Sequence, residues 1–279
     1  MKRILVTGAG GYIGRHVVQS LLNLGVEVIA TDQATDNIDK RAKIVKQDIF
    51  SGSDKIFDEL GCPDVCLHMA WKDGFVHNSD AHMEYLSKHY KFIKDIVNGG
   101  LKHIAVMGTM HEVGYFEGAI DENTPCNPTS MYGIAKDALR RSITLLLKDK
   151  SIVFQWLRAY YIYGDDKRNN SIFAKLINTA EKGQTTFPFT SGKNKYDFIH
   201  VDELAKLLSY CILQDKVNGV INCCTGEPIS LAEKVESFIK EHNLNIKLEY
   251  GAFPDRTYDS PGVWGDNRKI NDILYQLRY

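Results

Sequence analysis

The run TGAGGYIG at residues 7–14 constrains the fold more than any other stretch of the chain. A short apolar segment, residues 3–6, precedes it, and residues 15–24 follow it with apolar side chains at helical spacing. A glycine ends the predicted helix, and residues 26–32 form a second apolar segment that finishes with Asp32. A strand, a glycine-rich turn, a helix and a strand ending in an acid predict a dinucleotide-binding unit.

The residue types in this unit match the chemistry of a dinucleotide. Glycines at 8 and 11 allow a pyrophosphate to approach the backbone N–H groups where the helix begins, and the helix dipole favours an anion there. Gly14 lets the helix pack closely on the first strand. Asp32 is expected to accept hydrogen bonds from the adenosine ribose and to repel a 2′-phosphate, which favours NAD(H) over NADP(H). Two nearby cations keep NADP(H) open as an alternative: Lys40 and Arg41.

Composition sets limits on the class of protein. The chain has 279 residues, of which 44% are hydrophobic, and a net charge of −1, so nothing indicates a nucleic-acid or membrane partner. No apolar run reaches membrane-spanning length and the first strand begins at once, so we expect a cytoplasmic protein without a signal peptide. The six cysteines are scattered, and Cys62, Cys66 and His68 lack a second ligand pair, so we expect reduced thiols and no metal.

Strand and helix patterns alternate through the first two thirds of the chain. This alternation predicts an α/β fold, a Rossmann-type doubly wound parallel sheet with helices on both faces. The pattern loosens later, and we predict a dinucleotide-binding domain at residues 1–164. Residues 165–279 are predicted to form mostly a small C-terminal α+β substrate-binding lobe without a sheet of its own, with some elements returning to the main domain. The predicted strands are 3–6, 26–32, 43–46, 64–70, 103–107, 152–157 and 219–223, and the predicted helices are 15–24, 79–99, 130–148, 172–183, 201–213 and 231–243.

A Tyr–Lys pair provides the candidate catalytic group. Tyr132 and Lys136 are four residues apart and therefore share one face of the predicted helix 130–148. The lysine is expected to lower the pKa of the phenol towards the neutral range and to hold the nicotinamide ribose. Thr109 is predicted just beyond the fifth strand, where its hydroxyl can hydrogen-bond a substrate carbonyl or alcohol beside Tyr132.

These residues resemble the extended short-chain dehydrogenase/reductase family, the group of nucleotide-sugar epimerases, dehydratases and reductases. The resemblance covers nearly the whole chain and includes the Gly-x-x-Gly-x-x-Gly spacing of residues 8–14, the pair at 48–49, and the runs HMA at 68–70, LRAYYIYG at 157–164 and YDFIHVD at 196–202. It implies the following cofactor contacts: Gly8, Gly11, Tyr12, Ile13, Gly14, Asp32, Asp48, Ile49, Met69, Ala70, Trp71, Tyr132, Lys136, Ala159 and Tyr160. It also implies three substrate contacts: His111, Arg256 and Asp259.

The resemblance implies NAD(P)-dependent redox chemistry on a nucleoside-diphosphate sugar, and departures from the family pattern narrow the choice. Met110 and His111 stand where the dehydratase branch carries Asp-Glu, which disfavours dehydration. Tyr161 and Tyr196 replace an Asn and an Arg of many epimerases. The runs at 108–115 and 251–256 are closer to the 4-keto-6-deoxyhexose reductases, which supply sugars for surface polysaccharides such as lipopolysaccharide or capsule.

We therefore expect NAD(P)H-dependent reduction of a nucleotide-linked 4-keto-6-deoxy sugar. Tyr132 is expected to donate the proton, Thr109 to polarise the carbonyl and Lys136 to tune Tyr132. One alternative is an NAD-dependent nucleotide-sugar 4-epimerase. A second is a non-catalytic dinucleotide-sensing protein, which the intact Thr, Tyr and Lys disfavour. The sequence does not indicate which nucleotide or which sugar is bound.

Several other residues have two interpretations. Trp71, His77 and His82 are expected to line the sugar pocket, with packing of the lobe as the alternative for Trp71. His111 either touches substrate or caps its loop. Residues 167–170 either meet phosphates or form a solvated loop. The helices 81–99 and 130–148 have wide apolar stripes, which are either an ordinary core face or, as in the family, a four-helix homodimer interface.

Overall fold

A computed structural model describes residues 2–164, 171–255 and 259–277. The strands in these ranges are β1 Arg3–Thr7, β2 Glu27–Thr31, β3 Lys43–Ile44, β4 Val65–His68, β5 His103–Thr109, β6 Gly118–Ile120, β7 Val153–Ala159, β8 Tyr161–Tyr163, β9 Thr186–Pro188, β10 Lys195–Tyr196, β11 Phe198–His200, β12 Gly219–Cys223, β13 Ile229–Ser230, β14 Lys247–Glu249 and β15 Gly262–Gly265. The helices are α1 Tyr12–Asn23, α2 Ile56–Glu59, α3 Ala81–Asn98, α4 Met131–Leu147, α5 Ile172–Glu181, α6 Val201–Leu213, α7 Leu231–Glu241 and α8 Arg268–Gln276, with a 3₁₀ turn at Met110–Glu112.

A seven-stranded sheet forms the centre of the molecule. Its strands lie in the order β12-β7-β5-β4-β1-β2-β3, and every neighbouring pair is parallel. The chain leaves β1 towards β2 and β3, then returns to the other side of β1 through β4. The strand order therefore reverses between β1 and β4, and a ligand crevice is expected at their carboxyl ends. The predicted α/β doubly wound fold is confirmed.

Helices cover both faces of this sheet and bury its apolar side chains. Val17 and Leu21 of α1 join α6 and α8 in one buried cluster, and Phe92 of α3 joins Leu139 and Ile143 of α4 in another. Strands covered on both faces are mostly apolar: Ile4, for example, is fully buried. This explains why the sequence pattern of these strands is a continuous apolar run.

The structure corrects two details of the predicted architecture. The fifth strand does not stop at residue 107, because its pairing with β7 continues until Thr109 lies opposite Ala159. Thr109 is therefore the last residue of β5. The expectation that the later part of the chain lacks a sheet of its own is wrong: β10, β13 and β15 form a small sheet with β6.

No helix in the described ranges combines the length and apolar character needed to cross a bilayer. The cytoplasmic location expected from the sequence stays a prediction.

The packing of α1 on β1 depends on a glycine. A Cβ added at Gly14 would lie 2.0 Å from the carbonyl oxygen of Gly8 and 2.9 Å from the Cα of Ala9. Both atoms belong to the backbone, so neither can move aside without shifting the turn that joins β1 to α1.

We therefore expect Gly14→Ala to lower the free energy of unfolding by about 3 kcal/mol, because the added methyl group overpacks a backbone contact. Urea unfolding of the purified variant measures this change. Gly74→Ala is the matched control, since no atom lies within 4 Å of its added Cβ, and its effect should stay within about 0.5 kcal/mol. Equal stability of the two variants would contradict the packing argument.

Candidate active site

A single cleft of about 2580 Å³ opens at the carboxyl ends of β1, β4 and β5. Its volume exceeds the roughly 300–1,000 Å³ of a pocket for one small ligand, so it has room for two. The described site residues predicted from the sequence all line this cleft: Gly8, Gly11, Tyr12, Ile13, Gly14, Asp32, Asp48, Ile49, Met69, Ala70, Trp71, Thr109, His111, Tyr132, Lys136, Ala159, Tyr160 and Asp259. Arg256 and residues 167–170 lie outside the described residues.

One end of the cleft has the features that a dinucleotide needs. Helix α1 begins after Gly11, whose position provides no side-chain cap, and its first turn contains no acidic residue. The first N–H groups of α1 can therefore meet a phosphate. Asp32 lies beside them, and its Oδ2 accepts the N–H of Gly10 at 2.9 Å. These residues fit NAD(H).

The structure gives a different reason for Gly8 from the one expected. Its φ is +71°, a left-handed conformation that favours glycine. An added Cβ would lie 2.7 Å from the backbone nitrogen of Ala70, at the end of β4, so Gly8 is required by protein packing as well as by phosphate approach.

Thr109, Tyr132 and Lys136 meet on the opposite wall of the cleft. All three side chains line the cleft, and the Thr109 oxygen accepts the N–H of His111 at 3.3 Å. The Lys136 ammonium donates to the carbonyl oxygen of Met107 at 2.7 Å and lies 5.8 Å from the centre of the Tyr132 ring.

Burial controls the protonation of this group. Burial lowers the pKa of Lys136 to about 7, although the charge of Glu112 opposes the shift. Burial, with the charge of Glu112, also raises the pKa of Tyr132 above its ordinary value, and the influence of the Thr109 side chain only partly offsets this. The expected lowering of the phenol pKa by Lys136 is therefore absent from this structure, because the ammonium is bound to Met107 rather than to the phenol oxygen.

Trp71 forms the surface beside Lys136. The ammonium lies 3.8 Å from the centre of the indole ring, and the ring of His89 stacks on the same indole at 4.4 Å. The indole Nε1 donates to Nδ1 of His82 at 3.1 Å. His82 is itself buried and does not line the cleft, so the prediction that it lines the sugar pocket is wrong.

Two histidines flank the phenol of Tyr132. His77 stacks on the Tyr132 ring at 5.6 Å and lies 4.5 Å from the ring of His111. Burial lowers the pKa of His111 to about 4, so its imidazole is neutral at physiological pH. Both rings face the cleft. Within the described ranges, no group of three or more His, Cys, Asp or Glu has an arrangement that could hold a metal ion.

The sequence analysis did not identify a buried carboxylate behind the cleft wall formed by Thr109, Tyr132 and Lys136. Glu112 ends the 3₁₀ turn after β5 and is fully buried, and its Oε1 accepts the N–H of Thr109 at 2.7 Å. The spacing Thr-x-x-Glu at residues 109–112 is the capping-box pattern, so the sequence alone could have indicated that the Glu112 side chain binds the Thr109 backbone. Its partners Trp156 and Arg158 lie on β7, a contact that no local pattern predicts.

The far end of the cleft is aromatic. Tyr161 and Tyr196 have ring centres 4.3 Å apart, and burial raises the pKa of Tyr161, with Asp259 contributing. Phe187 and Phe189 line the same end. No sequence pattern marks these last two positions, which the small later strands bring to the cleft.

A glycine turn at a helix N-terminus, facing a buried Thr–Tyr–Lys group across one cleft, defines a dinucleotide-dependent oxidoreductase. The model of the NAD dependent epimerase/dehydratase family matches residues 4–224. The chain therefore belongs to this family of NAD-dependent oxidoreductases, within the extended short-chain dehydrogenases/reductases, and the resemblance inferred from the sequence is confirmed.

Two curated relatives match almost the whole chain. It is 45% identical over 267 residues to a dTDP-6-deoxy-L-talose 4-dehydrogenase (NAD(+)) of Aggregatibacter actinomycetemcomitans, an alignment that covers 94% of this chain and 98% of the relative. It is 29% identical over 279 residues to a putative UDP-glucose 4-epimerase of Methanocaldococcus jannaschii, covering 92% and 86%.

Solved structures share the fold. MoeE5 in complex with UDP-glucuronic acid and NAD is similar with a TM-score of 0.79 at 24% identity, over 98% of this chain and 92% of that one. The UDP-glucose 4-epimerase of Thermus thermophilus in complex with NAD has a TM-score of 0.81 at 21% identity, over 97% and 92%.

The low pKa of Lys136 predicts a pH dependence of stability. Between its folded pKa of about 7 and its ordinary value of 10.5, the unfolded chain binds more protons at this position, so stability rises with pH. Relative to Lys136→Met, the wild type should gain about 2 kcal/mol of unfolding free energy between about pH 7 and pH 9. Urea unfolding at both pH values measures this difference.

The control for this experiment is Lys94→Met, which removes an exposed lysine of α3. Its stability difference from the wild type should not change over the same pH range. A flat difference for Lys136→Met would show that the ammonium is not buried in solution.

Proposed function

We propose that this protein reduces the 4-keto group of a nucleotide-linked 6-deoxyhexose with NAD(P)H, and NADH in preference to NADPH. The observation that carries the proposal is that Thr109, Tyr132 and Lys136 line the same wall of one cleft. This group stands opposite the glycine turn at the start of α1, so one cleft holds both the cofactor end and the proton-transfer group.

Each residue of the group has one task in this reaction. Tyr132, kept protonated by burial, gives its proton to the sugar oxygen as the carbonyl is reduced. Thr109 hydrogen-bonds the same oxygen and polarises the carbonyl. Lys136 holds positive charge beside the phenol and binds the nicotinamide ribose. When bound, the cofactor supplies the hydride, and the glycine turn with Asp32 holds its pyrophosphate and adenosine ribose.

Local contacts favour the cofactor without a 2′-phosphate. Both oxygens of Asp32 accept backbone N–H groups. Gly10 N–H donates to Oδ2 at 2.9 Å, and Gln33 N–H donates to Oδ1 at 2.6 Å. Arg41 is one of the two cations expected to meet a 2′-phosphate, and its guanidinium is paired with Asp39 at 2.7 Å. A carboxylate therefore faces the ribose, while the arginine is paired elsewhere.

The rest of the cleft supports a nucleotide-sugar substrate. We propose that His77 and His111 face the sugar, since their rings surround Tyr132. We also propose that residues 165–279 form mostly the substrate-binding lobe. Asp259 and Arg256 would bind the nucleotide part of the substrate. The 45% identical relative, named as a 4-dehydrogenase of dTDP-6-deoxy-L-talose, supports a 6-deoxyhexose and a reaction at C4. This step would supply sugars for surface polysaccharides.

The experiment is to mix purified protein with NADH or NADPH and dTDP-linked 4-keto-6-deoxyhexose, and to follow the absorbance of the reduced nicotinamide. We expect stoichiometric oxidation of NADH and slower oxidation of NADPH. Tyr132→Phe should lower kcat roughly 10³-fold, because the proton donor is lost. Tyr210→Phe, on α6 away from the cleft, is the matched control and should leave kcat unchanged.

The same measurement separates the alternatives. NAD that co-purifies with the protein, together with an inverted sugar and no net use of NADH, would establish the 4-epimerase instead. NAD binding without turnover of any keto sugar, equal in wild type and Tyr132→Phe, would establish a dinucleotide-sensing protein.

We also propose that α3 and α4 form a four-helix homodimer interface. The two helices pack side by side and leave large apolar side chains exposed: Met83, Ile134 and Leu145. Leu145 is 75% exposed, more than any other large apolar side chain in the described ranges. A second copy of the same pair would cover these side chains in an isologous contact.

Leu145→Glu should therefore convert a dimer into a monomer, because two carboxylates would be buried near the two-fold axis. Light scattering coupled to gel filtration measures the mass. Leu277→Glu, which changes a 48% exposed leucine at the end of α8, should leave the dimer intact. A wild-type monomer would contradict the proposed interface.

A further inference from the structure

Glu112 is a buried ionisable group that the proposed reaction does not use. Its side chain has no exposed surface, accepts hydrogen bonds from three groups and forms an ion pair with a fourth. The N–H of Thr109 donates at 2.7 Å and the indole Nε1 of Trp156 at 2.8 and 2.9 Å. Arg158 and Arg140 lie 3.4 and 3.7 Å from its Oε2.

These neighbours require a carboxylate. Every group that faces the two oxygens is a donor, so a proton on either oxygen would meet another N–H. Burial raises the pKa of Glu112, and the Arg158 and Arg140 charges with the bonds from Thr109 and Trp156 oppose this shift. An ionised side chain accepts the three hydrogen bonds and pairs with both arginines. A neutral one removes the counter-charge that faces Arg158, whereas Arg140 keeps its ion pair with Asp137.

The four groups come from the three elements that form the active-site wall. Thr109 ends β5, Trp156 and Arg158 belong to β7, and Arg140 lies on α4, two turns beyond Tyr132. The indole reaches the carboxylate only because residue 108 is a glycine, where an added Cβ would lie 2.2 Å from Trp156 Nε1.

We propose that Glu112 is a positioning residue that fixes the Thr109 hydroxyl against the Tyr132 phenol. Its bond to the Thr109 N–H sets the end of β5, and its ion pair with Arg140 holds the helix that carries Tyr132 and Lys136. Glu112 touches neither substrate nor cofactor, because it lies behind the cleft wall. This inference rests on the proposed function, in which Thr109 and Tyr132 act on one oxygen.

The test compares Glu112→Gln with the wild type in the NADH assay and in crystal structures. Glutamine keeps the shape but removes the charge. We expect kcat to fall on the order of 10- to 100-fold with KM within about 3-fold, since a small displacement of reacting groups is costly. The distance from Thr109 Oγ1 to the Tyr132 oxygen should be longer in the variant than in the wild type.

Asp137→Asn is the matched control. Asp137 also pairs with Arg140, at 2.5 Å, but no contact joins it to Thr109 in the described structure, so its variant should keep kcat within about 3-fold. Trp156→Phe is the second variant if Glu112→Gln does not fold. It removes one donor and leaves the carboxylate in place, and we expect a smaller loss of kcat.

Two results would overturn the proposal: a folded Glu112→Gln or Trp156→Phe protein with wild-type kcat and an unchanged Thr109–Tyr132 distance, or an equal kcat loss in Asp137→Asn. Full activity of Tyr132→Phe would instead refute the proposed function, and the crystallographic distance would still test the role of Glu112.

Discussion

The close contact between α4 and the turn after β5 is the constraint on which the active site depends. At Gly133, an added Cβ would lie 2.4 Å from the carbonyl oxygen of His111, so only glycine allows the helix to approach this far. The helix begins here because Ser130 accepts the N–H of Gly133 at 3.2 Å. The neighbouring Tyr132 is thereby held against Thr109, and its own N–H donates to the His77 carbonyl oxygen at 2.9 Å.

The close contact of α4 with the turn after β5 also explains the pKa values of Tyr132 and Lys136. Bringing α4 against the sheet takes Tyr132 and Lys136 out of water, so desolvation outweighs the attraction that their spacing implies. The phenol stays protonated and the lysine pKa falls to about 7. A protonated phenol suits the reductive direction, in which Tyr132 is the proton donor. Spacing on a helix thus predicts which groups meet, but burial decides their protonation.

The fold was largely predictable because the sequence patterns that specify its main elements are local. Apolar runs, the glycine turn and the helix 130–148 are each visible within a few residues of the chain, and the cleft wall follows from the rule that ligands bind where parallel strands end. The small sheet of β6, β10, β13 and β15 was not predictable, because its two- to four-residue strands pair across large sequence separations. Glu112 carries a local capping-box signal, but its ion pairs with β7 and α4 could not be predicted for the same reason.

The turn after β5 also limits the reaction within a fold that its relatives use for epimerisation and dehydration. Met110 is buried, and His111 is neutral because burial lowers its pKa to about 4. Glu112 is an acid, but it lies behind the wall and is bound to Thr109 and two arginines. This turn therefore presents no ionisable acid–base pair to the cleft beside Tyr132. Elimination of water needs such a pair, whereas reduction of a carbonyl needs one proton donor, the role that we propose for Tyr132.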